Sequence, residues 1–162
     1  MAAEYPDVQN VLAKKSLPRS AKVYWIAQQL SSIAGFPFTV FGKHKKFNAD
    51  LYADLVAPNT SCSYFTETWP NGAVNYPNTC NTTNKDIYNI VSIKIANITF
   101  PTTKDHSKWA VADLIKCGYV CIGDINRQYS QNKRAGDAAC FQYNPLWNLY
   151  RNLIDDFEEC PV

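Results

Sequence analysis

The chain is expected to fold as an α/β domain, a mixed β-sheet flanked by helices, and three observations carry that expectation. Runs of β-branched and aromatic residues recur along the sequence, one amphipathic segment lies near its end, and strands and helices do not alternate with βαβ regularity. At 162 residues the chain has the size of a single domain, residues 1–162, and can bury a sizeable core. In chain order, strands are expected over 22–29, 37–42, 63–68, 90–100, 106–111 and 119–123. A helix is expected over 49–56 and a better marked one over 144–159. There Asn144 caps, Pro145 fills the first turn, and Leu146, Leu149, Tyr150, Leu153, Ile154 and Phe157 form one apolar stripe. That stripe reads as core. Segments 70–84 and 127–137 are rich in Asn, Gly, Pro and charge and read as loops.

Composition bounds the function. Charged residues at 19% and aromatics at 14% argue for a folded protein and against disorder. A net charge of +2 is too small to imply nucleic-acid binding from composition, so any such site must be a local patch. No apolar run approaches a membrane span, and no membrane partner is expected. Six cysteines fit an oxidising compartment. None forms a Cys-x-x-Cys pair and the two histidines are far apart, so neither a metal nor a cofactor is expected. Sequons at Asn59, Asn81 and Asn97 point to glycosylation in a secretory pathway. Met1 to Pro6 carries no apolar signal core, which reads as a mature portion, a truncated gene product or a piece of a longer protein.

The chemistry concentrates in Asp105-His106-Ser107-Lys108-Trp109, followed by Gly123-Asp124-Ile125-Asn126. If the chain is extended here, His106 and Lys108 project from one face of a strand, setting a nucleophile or acid beside a phosphate clamp. Asn126, arriving from a second strand, adds a neutral donor for a non-bridging phosphate oxygen. A second His-x-Lys triplet at His44-Lys45-Lys46 lacks such company, and Lys43 to Lys46 reads as a solvated basic run.

Longer strings surround these residues: Phe41-Gly42-Lys43-His44-Lys45-Lys46-Phe47-Asn48-Ala49-Asp50-Leu51-Tyr52, Asp86-Ile87-Tyr88, Val120-Cys121-Ile122-Gly123-Asp124-Ile125-Asn126-Arg127, Lys133-Arg134-Ala135-Gly136 and Leu146-Trp147. With Asp105 to Trp109, they resemble the C-terminal half of the deoxyribonuclease II family in the phospholipase D superfamily. The resemblance implies a phospholipase D-like mixed sheet flanked by helices and stabilised by disulfides. It pairs Cys80 with Cys160 and Cys121 with Cys140, and leaves Cys62 and Cys117 for a third bridge. It implies a metal-independent acid endonuclease, secreted or lysosomal, that cuts DNA through a phosphohistidine and leaves 3′-phosphates. His106, Lys108 and Asn126 would be catalytic, and Asp124, Arg127, Lys133 and Arg134 would meet substrate. The family follows the Lys-Arg pair with glycines, whereas Ala135-Gly136-Asp137 stands here, and Asp137 would repel a phosphate unless paired.

That chemistry needs two histidines flanking one phosphate, and this chain supplies one half-site. Either two copies assemble as a homodimer, or an N-terminal half completes the site. The alternative is an inactive secreted relative that binds nucleic acid or a host partner. A phospholipid phosphodiesterase is disfavoured because no lipid-facing stripe is evident.

Overall fold

The computed structural model describes Pro6, Gln9, Leu12, Ala13, residues 23–80 and residues 85–161. Its centre is a nine-stranded mixed sheet: β1 (Trp25–Ser31), β2 (Pro37–Lys43), β3 (Tyr64–Glu67), β4 (Ile87–Ile95), β5 (Ile98–Pro101), β6 (Trp109–Ala112), β7 (Tyr119–Gly123), β8 (Gly136–Gln142) and β9 (Ile154–Phe157). The spatial order is β1-β2-β8-β7-β6-β3-β4-β5, and β9 joins through β4. Only β3 and β4 run parallel; the remaining pairs are antiparallel.

Alternation along the central strands sorts side chains onto two buried faces. Tyr64, Ala110, Ala112 and Cys121 pack into one cluster, while Phe65, Trp109, Val111 and Val120 pack into the other. The alanines of β6 leave room on the first face for a helical segment, a π-turn over Tyr52–Val56 running into α1 (Ala57–Thr60). Asp50 starts it, its Oδ1 accepting the Tyr52 and Ala53 amides at 2.7 and 3.0 Å. The second face is covered by α2 (Asn144–Arg151) and β9, which bring Leu146, Trp147, Tyr150, Ile154 and Phe157 onto Phe65 and Trp109.

Several expectations change. The helix expected over 144–159 ends at Arg151, because Ile154 and Phe157 bury as well by pairing with Ile93 and Ile90 of β4. Leu149 is exposed rather than part of the apolar stripe, and no side-chain cap is made at the helix start. The strand expected over 90–100 is a hairpin, turning at Ala96 with φ 54°. The loop expected over 127–137 ends in β8, a strand of low intrinsic propensity that forms because it fills the ladder between β2 and β7. Finally, β6 begins at Trp109, so His106 to Lys108 precede the strand instead of opening it.

Three disulfides hold the sheet to its connections. Cys121–Cys140 crosses β7 and β8 at directly paired positions, Cys62–Cys117 ties the start of β3 to the turn before β7, and Cys80–Cys160 closes 80 residues of chain.

Candidate active site

The backbone sets the site before its side chains do. The Gly123 amide donates to the Lys108 carbonyl at 2.9 Å, extending the β6–β7 pairing and placing the two motifs side by side. Gly123 has no room for a Cβ, which would lie 2.6 Å from the Tyr52 hydroxyl. The segment that follows β3 touches both motifs. The Trp69 indole packs on the His106 imidazole with centroids 4.0 Å apart, and the Thr68 hydroxyl accepts the Arg127 amide at 3.1 Å. Trp69 takes φ 34°, a strained value that presents its ring to His106.

His106 is exposed, and the Lys108 ammonium turns back to donate to the His106 carbonyl. Histidine and lysine therefore share one corner, through a folded-back side chain and not through two positions of a strand. Asp105 braces the corner, its carboxylate accepting the Ser107 amide at 2.9 Å and the Ser107 hydroxyl at 2.6 Å.

Below lies a residue that the motif reading missed. Glu67, 0% exposed, accepts the Trp69 amide at 3.3 Å through Oε1, while Oε2 has no hydrogen-bond partner. Burial pushes its carboxyl up to about 8, with Asp105 adding to the rise and Lys108 opposing it. The only hint in the sequence is a charged residue among apolar ones in Tyr64-Phe65-Thr66-Glu67. Its neighbour in the ladder is Trp109, the last residue of the Asp105 to Trp109 segment.

Asn126 is buried, with its side-chain Oδ1 unpartnered and its backbone N–H donating to Gln131 Oε1 at 3.0 Å. No hydrogen bond joins its side chain to His106 or Lys108 among the described residues. It lines a small cleft with Lys43, Asp50, Arg127 and Gln131.

Arg127, expected to meet substrate, is instead 3% exposed. Its Nε pairs with Asp50 at 2.9 Å, and its remaining donors go to Asn89 Oδ1, the Pro77 carbonyl and Thr79 Oγ1. Four of its five N–H donors are engaged inside the protein, which leaves one for any other partner. Asp124 is exposed, and its Oδ1 accepts the Asp137 amide at 2.9 Å, closing the β7–β8 connection. The Asp137 carboxyl, raised by burial and by Asp124, lies at that same connection.

Lys43 also departs from expectation. It is no part of a solvated run: 5% exposed, it donates to the carbonyls of Gln131, Asn132 and Arg134, each at 3.0 Å. Burial lowers its pKa, against Asp50 and Asp124. His44, Lys45 and Lys46 remain exposed, as do Lys133 and Arg134. Of the sequons, Asn97 is exposed at the β4–β5 turn and Asn59 Nδ2 donates to the Leu55 carbonyl at 2.7 Å; Asn81 lies outside the described residues. Among the described residues no group of three or more His, Cys, Asp or Glu is placed to hold a metal, and no helix is long and apolar enough to cross a membrane.

The sequence has relatives among known proteins. Residues 1–160 match the sequence family Deoxyribonuclease II. The chain belongs to the deoxyribonuclease II family. Its relatives include cell-death-related nuclease 7 of Caenorhabditis elegans, 37% identical over 98% of this chain and 43% of that protein. Deoxyribonuclease-2 of the same worm is 40% identical over 93% of the chain and 39% of its own length. Deoxyribonuclease-2-alpha of Rattus norvegicus is 35% identical over 98% and 45%. The chain thus spans less than half the length of these deoxyribonuclease II relatives.

Proposed function

We propose that this chain forms one half of a metal-independent acid endonuclease active site that hydrolyses DNA phosphodiesters. The observation that carries the reading is an exposed His106 ring, held against Trp69 with the Lys108 ammonium beside it, in a chain of the deoxyribonuclease II family. The neutral imidazole attacks phosphorus, forming a P–N bond as the bond to the 5′ oxygen breaks. A second histidine, from a second copy of the chain or from a companion half, gives its proton to that oxygen. The same group then takes a proton from water, whose oxygen displaces the imidazole and leaves a 3′-phosphate. In a symmetric pair either copy of His106 can serve in either role. Lys108 releases the His106 carbonyl to hold a non-bridging oxygen, and Asn126 would offer its amide from the cleft side. Passage through a secretory or lysosomal compartment agrees with the three disulfides and with an exposed acceptor at Asn97.

The test is nicking of supercoiled plasmid at mildly acid pH in EDTA. The expected result is nicking that chelation leaves unchanged and that His106→Ala abolishes. Stimulation by magnesium with full loss in EDTA would reject the reading. One observation favours a second reading, a relative that binds without cutting: among the described residues one half-site, His106 with Lys108, stands at this corner. DNA binding without nicking by a dimer, or by a monomer that a companion half does not activate, would select it.

A further inference from the structure

Away from the His106 corner, Tyr24, Lys45, Lys46, Asn48 and Lys133 line an open depression of about 510 Å³. Lys45 and Lys46 follow β2, whereas Lys133 closes a 3-10 turn between β7 and β8. Lys43 is why they meet. Its ammonium takes the carbonyls of Gln131, Asn132 and Arg134, fastening the backbone on both sides of Lys133 to the residue two before Lys45.

The arrangement opposes plain electrostatics. Like charges gathered in one depression repel. Lys45, Lys46 and Lys133 have no carboxylate within ion-pair distance among the described residues. A buried amine and three hydrogen bonds are spent on keeping these cations together. An extended polyanion resolves the conflict, because it neutralises several cations at once and releases its own counterions. Aromatic surface completes the pattern: Tyr24 stacks on His44 at 5.8 Å, and Lys46 Nζ lies 5.3 Å from the Tyr24 ring centre. Cations beside flat rings suit a nucleic-acid strand, whose phosphates and bases alternate along its length.

We propose that the depression formed by Tyr24, Lys45, Lys46 and Lys133 is a seat for the DNA backbone away from the phosphate being cut. The proposal rests on the nuclease reading above, and it explains why the turn bearing Lys133 is continuous with the strand end bearing Asn126.

The test is fluorescence anisotropy of a labelled DNA duplex on the whole chain, with His106→Ala in every sample to prevent cleavage. Lys45→Ala, Lys46→Ala and Lys133→Ala together should weaken binding by about tenfold or more at low salt. They should also lower the slope of log affinity against log salt by about 2 to 3, as expected for three lost phosphate contacts. The same positions changed to Arg should retain affinity, since a phosphate accepts either cation. Lys85→Ala, Lys94→Ala and Lys116→Ala together remove equal charge elsewhere and should change affinity by less than about twofold. Equal losses in the two alanine triples, no loss in the first, or loss in the Arg triple would overturn the seat. If the protein with His106 intact still nicks plasmid, the nuclease reading survives that failure. A parent chain that neither binds nor cuts DNA would overturn both.

Discussion

At the scale of single residues, His106 and Glu67 invite opposite experiments. His106 is exposed and touches little beyond the Trp69 ring, so His106→Ala should abolish nicking while the melting temperature falls by no more than a degree or two. Glu67 should behave in reverse. Its folded pKa, about 8, lies above its ordinary 4.5, so the folded state holds a proton that the unfolded chain has given up between those values. The stabilisation is complete below about pH 4.5 and is lost as pH rises through about 8, by roughly 5 kcal/mol at most. Glu67→Gln keeps the shape without the titration, and urea unfolding should show its stability flatter with pH than wild type. Equal pH slopes would mean that Glu67 does not carry this proton. An acid-tolerant site follows directly: the proton that neutralises Glu67 also spares the His106 corner a buried negative charge. The nearness of His106 to Lys108 was legible in the sequence because their spacing is short, whereas the strand face expected to carry them was not what formed. Glu67 was not, since its importance comes from a ladder position opposite Trp109 and from complete burial, and neither is written in its neighbours.

Among the elements, the connection from β7 to β8 decides which cations face outward. Arg127 and Lys133 look alike in sequence, two cations in a polar stretch, yet one is spent inside and the other is free on the surface. Arg127→Ala should therefore destabilise the fold by about 3 to 5 kcal/mol, leaving Asp50 buried and unpaired, and Asp50→Asn in the same chain should recover part of that loss. Chemical denaturation of the two variants checks it. A fully stable Arg127→Ala protein with weakened DNA affinity would restore the substrate role. The strands read most clearly were those with β-branched runs, such as β7, and the π-turn after Asp50 coincided with an expected helix. β8 escaped notice because Gly-Asp-Ala-Ala has no strand signature of its own; its neighbours impose the conformation. The end of α2 was misplaced for a related reason. Ile154 and Phe157 fit helical spacing equally well, and only the β4 partner, pinned by Cys80–Cys160, selects the strand.

At the scale of the whole molecule, the count of histidines governs assembly. On the proposed phosphohistidine mechanism two imidazoles flank one phosphate, so a chain active alone should sediment as a dimer or larger, with two His106 rings facing one another. Mixing His106→Ala subunits into wild type should then depress nicking more steeply than the mutant fraction, because a mixed pair retains one ring. An active monomer, or a linear loss on mixing, would reject the shared site. Addition of a separately produced companion half that restores nicking to an inactive monomer would point instead to a divided protein.

The contact between Trp69 and His106 has an optical consequence. Indole fluoresces, and a protonated imidazole touching its face quenches that light more strongly than the neutral ring does. Trp69, with ring centroids 4.0 Å from His106, is therefore a built-in indicator of that residue's charge. The emission of the other three tryptophans contributes a background that His106→Ala leaves in place. Subtracting the two titrations isolates the light that depends on His106, and reports its proton with no label, substrate or second subunit in the cuvette.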